Sequence, residues 1–487
     1  MKKLYPCGLL LALLPAGAAA QQLFSPSHSN YAGLTGTAWN PATVADNRYL
    51  FQVQLLALDG HGTNSAYRYT GPGSLLTSPG SADLSSNYLR GISGSRPKLF
   101  SLGLNMRGPG LLVSAGAKQG FAINSRVRTA FQGNQIGGQI LQAAVDKFDV
   151  PQRLKSTSFN LNLNAFAEWN ATYGRVLLEK EHHFLKAGVT LKLLRGIGSA
   201  YLQTQDADIE IVRQTSQTGD TIVRVNSYTG AFAYSNPQAF DDITVDKAVQ
   251  WLTLGKAPGA GWGTDVGFVY EYRPSDEHNT YTDKQGKQRP DLGRNKYRYR
   301  ISASITDIGS LRYREQAVAY NDINVRNRGV SEADLSGIDA DNFDEKLNRI
   351  FQTQQFARAS AFRVGLPTAL NLDVDYRLNR MLFANLAVSQ SLRPGFAKGM
   401  RHFSYAALTP RLETRWLELA TPISLNNNYQ LFSYGALVRV GPLAVGSNNL
   451  SALFASNDPY GVNAYAEFSL LAWAHKKHRN KLKPPIK

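Results

Sequence analysis

Side-chain polarity alternates with period two along much of this chain, in runs that only an extended backbone can sort. Phe159, Leu161, Leu163, Ala165, Ala167 and Trp169 share one face, and Asn160, Asn162, Asn164 and Glu168 share the other. Successive side chains of a strand point to opposite sides, which separates the two sets cleanly. The pattern returns at Trp262, Thr264, Val266, Phe268, Tyr270 and Tyr272, opposed by Asp265, Glu271 and Arg273. It returns at Tyr297, Tyr299, Ile301, Ala303 and Ile305, and again at Leu370, Leu372, Val374, Tyr376 and Leu378 against Asn371, Asp373, Asp375, Arg377 and Asn379. Further strands are expected over Tyr49–Asp59, Leu99–Met106, Leu111–Gln119, His183–Leu194, Met381–Leu392, Tyr405–Ile423, Gln430–Val440 and Val462–Trp473.

Most of these runs span about 9–11 residues, the length a tilted strand needs to cross a bilayer. Trp169, Tyr173, Trp262, Tyr272, Tyr297, Trp416 and Trp473 stand near run ends, where an interfacial aromatic girdle would lie. The expected fold is all-β: a transmembrane antiparallel barrel of roughly 14 strands, since bacterial single-chain barrels have even numbers. The competing architecture is a soluble sandwich or propeller, because alternation alone does not say which face meets water. Three stretches carry helical spacing instead, Asn134–Val150, Gln238–Gly255 and Ser331–Phe356. All three are too polar to face lipid, so they belong in loops or the lumen. Pro274–Asn295 reads as a long exposed loop.

The start of the chain has the form of a secretory signal. Lys2 and Lys3 precede the apolar run Leu9–Leu14, and Ala18, Ala19 and Ala20 offer a cleavage site before Gln21. The single cysteine, Cys7, falls inside that signal, so disulfides and thiolate metal sites are excluded from the mature chain. The expected organisation is a signal peptide over 1–20, an N-terminal plug over 21–48, the barrel over 49–474 and a basic tail over 475–487. Mean hydropathy is −0.28, too polar for a helical membrane bundle but compatible with a barrel, where only alternate residues face lipid.

Lys and Arg total 53 against 36 Asp and Glu. Export argues against nucleic acid as the partner of this basic excess. Outer-membrane lipid and anionic lipopolysaccharide account for it as well. The tail from His475 through Lys483 suits contact with peptidoglycan or envelope proteins.

No motif points firmly to catalysis or a cofactor. His402 and Ser404 are two apart, so on a strand they would share a face, as in barrel lipases. Two ordinary polar residues near a strand end is the simpler reading, and no catalytic residue is assigned. The acidic run Asp339, Asp341, Asp344 and Glu345 lacks the glycine of a calcium loop and suits a helix N-terminus better. His182 and His183 are adjacent, which on a strand points them apart, so they mark a hairpin turn rather than a metal site. Gly259, Gly261 and Gly263 do not complete a dinucleotide-binding pattern and suit a crowded barrel bend.

Asn30-Tyr31-Ala32-Gly33-Leu34 followed by Trp39-Asn40-Pro41-Ala42 resembles the Asn-Pro-Ala element near the start of long-chain fatty-acid transporter barrels. Gly261–Gly267, Thr306-Asp307-Ile308-Gly309 and Leu366-Pro367-Thr368 add to the likeness. The chain looks like a member of an uncharacterised Bacteroidetes-type outer-membrane family distantly similar to those transporters. The resemblance implies a barrel with an internal plug that includes Asn40 and Pro41. The expected function is a passive outer-membrane channel or transporter for a small compound, with a hydrophobic one as the narrower reading. A non-transporting envelope scaffold or secretion and surface-anchoring component is the alternative, and a lipase the second.

Overall fold

The computed structural model describes residues 27–75, 86–145, 150–213, 221–240, 245–253, 255–274, 280–282, 285–286, 288–331, 342–453 and 458–474. The expected signal peptide, the first residues of the expected plug, and the basic tail lie outside the described residues.

In chain order the main strands are β1 (Tyr49–Asn64), β2 (Lys98–Ala115), β3 (Gln119–Ile136), β4 (Phe159–Lys180), β5 (His183–Arg213), β6 (Thr221–Ser235), β7 (Gly259–Tyr272), β8 (Tyr299–Tyr313) and β9 (Ala317–Ser331). They continue with β10 (Phe362–Gly365), β11 (Ala369–Arg377), β12 (Leu382–Ser391), β13 (Tyr405–Glu413), β14 (Leu417–Ala420) and β15 (Ile423–Asn426). The last are β16 (Leu431–Tyr434), β17 (Ala436–Val440), β18 (Leu443–Ser447) and β19 (Gly461–Ala474). Every neighbouring pair is antiparallel, and β1 bonds to β2 on one side and β19 on the other, so the sheet closes. β6 and β9 extend the upper half of β5 beyond the rim. The pairs β10/β11, β14/β15 and β16/β17 are each one interrupted stave, which leaves a closed wall of fourteen strands.

What distinguishes a membrane wall from a soluble sandwich is the direction of the polarity. Leu372, Val374, Leu386, Leu408, Leu419, Leu425, Phe432, Val438, Val445 and Phe468 all point outward and are exposed. On the opposite faces of the same strands, Asn371, Asp375, Asn385, Thr409, Arg411, Glu418 and Ser433 are buried. A water-soluble protein does not expose an apolar belt of this extent while burying its charges. Lipid as the outer solvent removes the contradiction, and closure supplies every backbone group with a partner there. The sandwich is therefore excluded by its own core.

The termini of the wall lie at one end, where Tyr49 faces Ala474. The turns between β2 and β3, β4 and β5, β11 and β12, β13 and β14, and β17 and β18 are short at that end. Barrels keep short turns on the periplasmic side and long loops outside. The helices of the three polar stretches, Gly138–Val145, Val245–Trp251 and Phe343–Phe351, all fall in the long loops of the opposite end, as their polarity required. In the last, Asp344 and Glu345 occupy the first turn. Asp339 and Asp341 lie outside the described residues.

Several boundaries differ from the sequence reading. Leu99–Met106 and Leu111–Gln119 are not two strands: β2 runs through both, and a bulge between Arg107 and Gly110 shifts its register against β3. β3 is absent from the sequence reading, because Ser125 and Thr129 interrupt the apolar face formed by Phe121, Ile123, Val127 and Phe131. Tyr405–Ile423 is a hairpin of β13 and β14, turning at Thr414–Trp416. Tyr297 does not join the girdle. It is buried and its hydroxyl donates to Asp375. Trp262, Trp416 and Trp473 do project outward. The loop after β7 is not simply exposed either, since Asp291, Lys296 and Tyr297 are buried at its end.

The outward belt gives a stability prediction. Leu386 faces lipid at 53% exposure to solvent, between Val374 and Leu408 on its neighbours. Leu386→Arg is expected to cost about 2–4 kcal/mol of refolding free energy into liposomes. An unchanged urea titration there would mean that water, not lipid, wets this face.

Candidate functional site in the lumen

Residues 27–48 run inside the barrel. They have little regular structure of their own, only a helical turn at Leu34–Thr37 and a 3-10 turn at Pro41–Val44. The second turn is locally encoded. Asn40 caps it by accepting from the amide of Ala42, and Pro41 occupies the first position, where its missing N–H costs nothing.

That turn lies flat on the wall because the wall has no side chains there. Gly120, Gly174, Gly188 and Gly267 face one another in register across β3, β4, β5 and β7. A Cβ at Gly188 would stand 2.5 Å from the backbone of Pro41 and Ala42, and one at Gly174 would stand 2.6 Å from Val44. At Gly267 it would meet Asn40 and Pro41, and at Gly120 the carbonyl of Val44. The four glycines form a groove one turn wide, and Asn40–Val44 fills it.

Around this seat the contacts are polar and come from all sides. Asn40 donates to Ser302 Oγ at 2.8 Å and to the Phe268 carbonyl at 3.0 Å. The Trp39 indole donates to Asp373 at 2.7 Å, and its carbonyl accepts from Ser304 at 2.6 Å. Thr35 donates to Glu467, and Ser29 to Glu418, both at 2.7 Å. The amide of Leu34 donates to Gln52 at 2.9 Å, and Lys186 donates to the Ala45 carbonyl at 2.8 Å. Asn40 and Pro41, expected in the lumen, are both there and buried.

At the end that holds the wall's termini, Asp46 pairs with Arg273 at 2.5 Å, Arg48 at 3.1 Å and Lys296 at 3.5 Å. Arg48 also donates to the carbonyls of Leu292 and Arg294 in the loop after β7. Burial alone would raise the Asp46 carboxyl, but Lys296, Arg273 and Arg48 hold it well below the ordinary carboxylate range. The lumenal segment is thereby latched to the loop after β7.

Farther up, an ionic layer crosses the lumen. Arg128 bridges Asp307 at 2.7 Å and Glu168 at 3.0 Å, and Lys192 bridges Asp265 at 2.8 Å and Asp307 at 2.5 Å. Above it Phe166, Leu194, Leu311, Tyr313, Phe362 and Val364 make an apolar layer. Residues 392–404, between β12 and β13, fold inward over that layer. Asn160 donates to the carbonyls of Gly395 and Ala397, the amide of Gly399 donates to Asn162, and Gln132 exchanges two bonds with Arg401. Two lumenal cavities of about 40 and 20 Å³ remain, enough for a water or two.

His402 and Ser404 belong to this inward loop and not to a strand. His402 bonds Ser389 at 2.8 Å, whereas Ser404 accepts from the Ser391 amide and its own amide donates to Asn428. Each is committed to a different partner, and Ser404 is buried from the lipid side. The geometry does not assemble a lipase pair. His182 and His183 lie at the β4–β5 turn as expected, His183 against the Tyr270 hydroxyl at 2.8 Å. Gly259 makes room for Tyr313, in keeping with its expected role at a crowded position.

Sequence reasoning missed the glycine row, the Asp46 latch and the inward loop. The glycines were visible singly, but their alignment depends on register. For the loop the available signal was Arg393-Pro394-Gly395, which marks a turn without saying where it folds.

Gly188→Val is expected to unseat the lumenal turn, seen as faster hydrogen exchange of the Thr35–Val44 amides with the wall unchanged. Gly137→Val, at a position facing open space, is the control; equal protection in both variants would contradict the seat. Asp46→Asn leaves Arg273, Arg48 and Lys296 without their shared anion and is expected to cost about 3–5 kcal/mol, the usual result of breaking one side of a buried pair. Because the folded carboxyl is depressed from 3.8, its contribution is complete above that pH. It is lost as the pH falls through the lower folded value. Protection of Arg48 and Tyr49 should follow that acid profile in the wild type and not in Asp46→Asn.

Among solved structures the chain is similar to the Ralstonia pickettii toluene transporter TbuX, at 10% identity and a TM-score of 0.39, covering 95% of this chain and 96% of that one. It is also similar to the Pseudomonas putida toluene transporter TodX, at 11% identity and a TM-score of 0.39, covering 93% and 97%. A Pseudomonas aeruginosa FadL homologue aligns at 10% identity and a TM-score of 0.28, over 93% and 97%. No curated protein matches the chain. Residues 41–448 match the model described as a family of unknown function, DUF5723, and the chain belongs to that family.

Proposed function

We propose that this protein is an outer-membrane channel, a passive conduit for a small solute, and that residues 27–48 are the plug that closes it. The observation that carries this reading is the seat. The segment rests on a bare row of glycines and is held by exchangeable hydrogen bonds and one ionic latch. Most of those bonds end on side chains that water can serve once the segment leaves, so displacement costs far less than opening the wall. A hydrophobic cargo is supported by the apolar layer of Phe166, Leu194, Leu311, Tyr313 and Phe362 in the path above the ionic layer.

A non-conducting scaffold is the reading that the doubly closed lumen favours, since the two cavities described above, of about 40 and 20 Å³, each hold only a water or two. Conductance across planar bilayers separates the two. The wild type is expected to be nearly silent, with brief openings. Deletion of residues 27–44 in a variant that also lacks 394–399, the tip of the inward loop, should give large, steady conductance, and liposomes carrying it should take up a lipophilic probe faster than wild-type liposomes. A folded deletion variant as tight as an empty bilayer would remove the channel reading and leave the scaffold.

A further inference from the structure

Outside the barrel, at the end away from the termini, two rows of residues lie one above the other. The lower row runs Leu193, Trp262, Ser310 and Gly365 across β5, β7, β8 and β10, and Trp262 is 69% exposed. The upper row, one side-chain repeat or about 7 Å farther out, runs Arg195, Ala260, Arg312 and Arg363. Their outward direction follows from their neighbours: Leu194, Leu311, Tyr313, Phe362 and Val364 all pack in the lumen. The greasy belt thus ends in a tryptophan and is followed at once by three guanidinium groups.

Arg312 and Arg363 are paired directly across two strands, with Cβ atoms about 5 Å apart, an arrangement in which like charges repel. Both are exposed, and among the described residues neither they nor Arg195 has an ion pair or side-chain hydrogen bond. Neither row contains an acid. Ala260 leaves a gap between Arg195 and Arg312 in which nothing large competes for space. An anion standing between two opposed arginines turns that repulsion into attraction. At the depth where acyl chains give way to headgroups, the anion supplied by the surroundings is a lipid phosphate, which guanidinium groups bind through paired N–H donors.

We propose that Arg195, Arg312 and Arg363 form a site for the phosphate of an outer-leaflet glycolipid of the lipopolysaccharide type, with Trp262 packing against its acyl chains. The inference rests on the outer-membrane placement proposed above and is independent of transport. Its failure is distinguishable from that of the channel, because the assay reads lipid retention rather than conductance.

The test is native mass spectrometry of the detergent-solubilised full chain with bisphosphorylated lipid A, its dephosphorylated form, or inorganic phosphate. Wild type should retain the phosphorylated lipid about tenfold or more over the dephosphorylated one, as expected for charge-assisted bonds. Arg312→Gln/Arg363→Gln should lose that preference, and Lys118→Gln at the opposite rim should keep it. Without lipid, the double variant should melt no lower than wild type, since it sheds a repulsion. A lower melting point would assign the arginines a structural role and overturn the proposal. Equal retention by wild type and double variant, or full displacement by inorganic phosphate at matching concentration, would also overturn it.

Discussion

Closure of the hydrogen-bonded ladder between β1 and β19 is the constraint from which the remaining structure follows. In lipid, an open sheet edge would leave a row of N–H and C=O groups with no partner, and each costs several kcal/mol. A closed wall avoids that cost, but it turns the usual polarity of a protein inside out. The outside takes the large aliphatic residues, and the inside must then hold the charges that alternate with them. Fourteen strands enclose more space than those side chains fill. Something else must occupy the lumen, or water does.

Here the occupant is the chain itself, and it enters from both ends. The N-terminal segment is bound mainly through side chains of the wall, whereas the loop at 392–404 is bound mainly through its own backbone carbonyls and amides. The first arrangement depends on particular wall residues. The second depends on the loop keeping its shape, which Arg393 enforces by donating to the carbonyls of Gly365, Lys398 and Met400. The two closures are thus chemically different devices, separated by an ionic layer and an apolar layer.

The wall was legible in the sequence because alternation is a local property: Trp262 through Tyr272 announces a strand whatever lies beside it. Where polar residues also stood on the outer face, the signal weakened, as in β3 with Ser125 and Thr129. Strand ends were poorly legible for the same reason. His183–Leu194 continues to Arg213 because its upper half pairs with β6 beyond the rim, and nothing local distinguishes that half. Asn40 and Pro41 could be placed inside the barrel, yet their seat could not be read. Gly120, Gly174, Gly188 and Gly267 come from four separate strands, and only register brings them together. The arginine row on the outer face was hidden in the same way.

For the plug we propose, the distribution of charge partners sets where it is released. Arg128, Lys192, Glu168, Asp265 and Asp307 satisfy one another across wall strands, so withdrawing the plug strands none of them. Glu413 and Glu418 accept from Ser29, but they also hold Arg411 and Arg439 of the wall. Asp46 differs, because it is the plug's own anion and three cations converge on it. Two of those cations, Arg273 and Lys296, flank the periplasmic loop after β7, whose backbone also receives Arg48. Among the described residues, withdrawing residues 27–48 therefore separates charge only at Asp46, which is tied to the loop after β7. A force or ligand acting on that loop reaches the latch directly, whereas anything acting from outside must first move the inward loop and then cross the apolar and ionic layers. On the channel reading proposed above, control of the lumen falls at the mouth where Asp46 is latched.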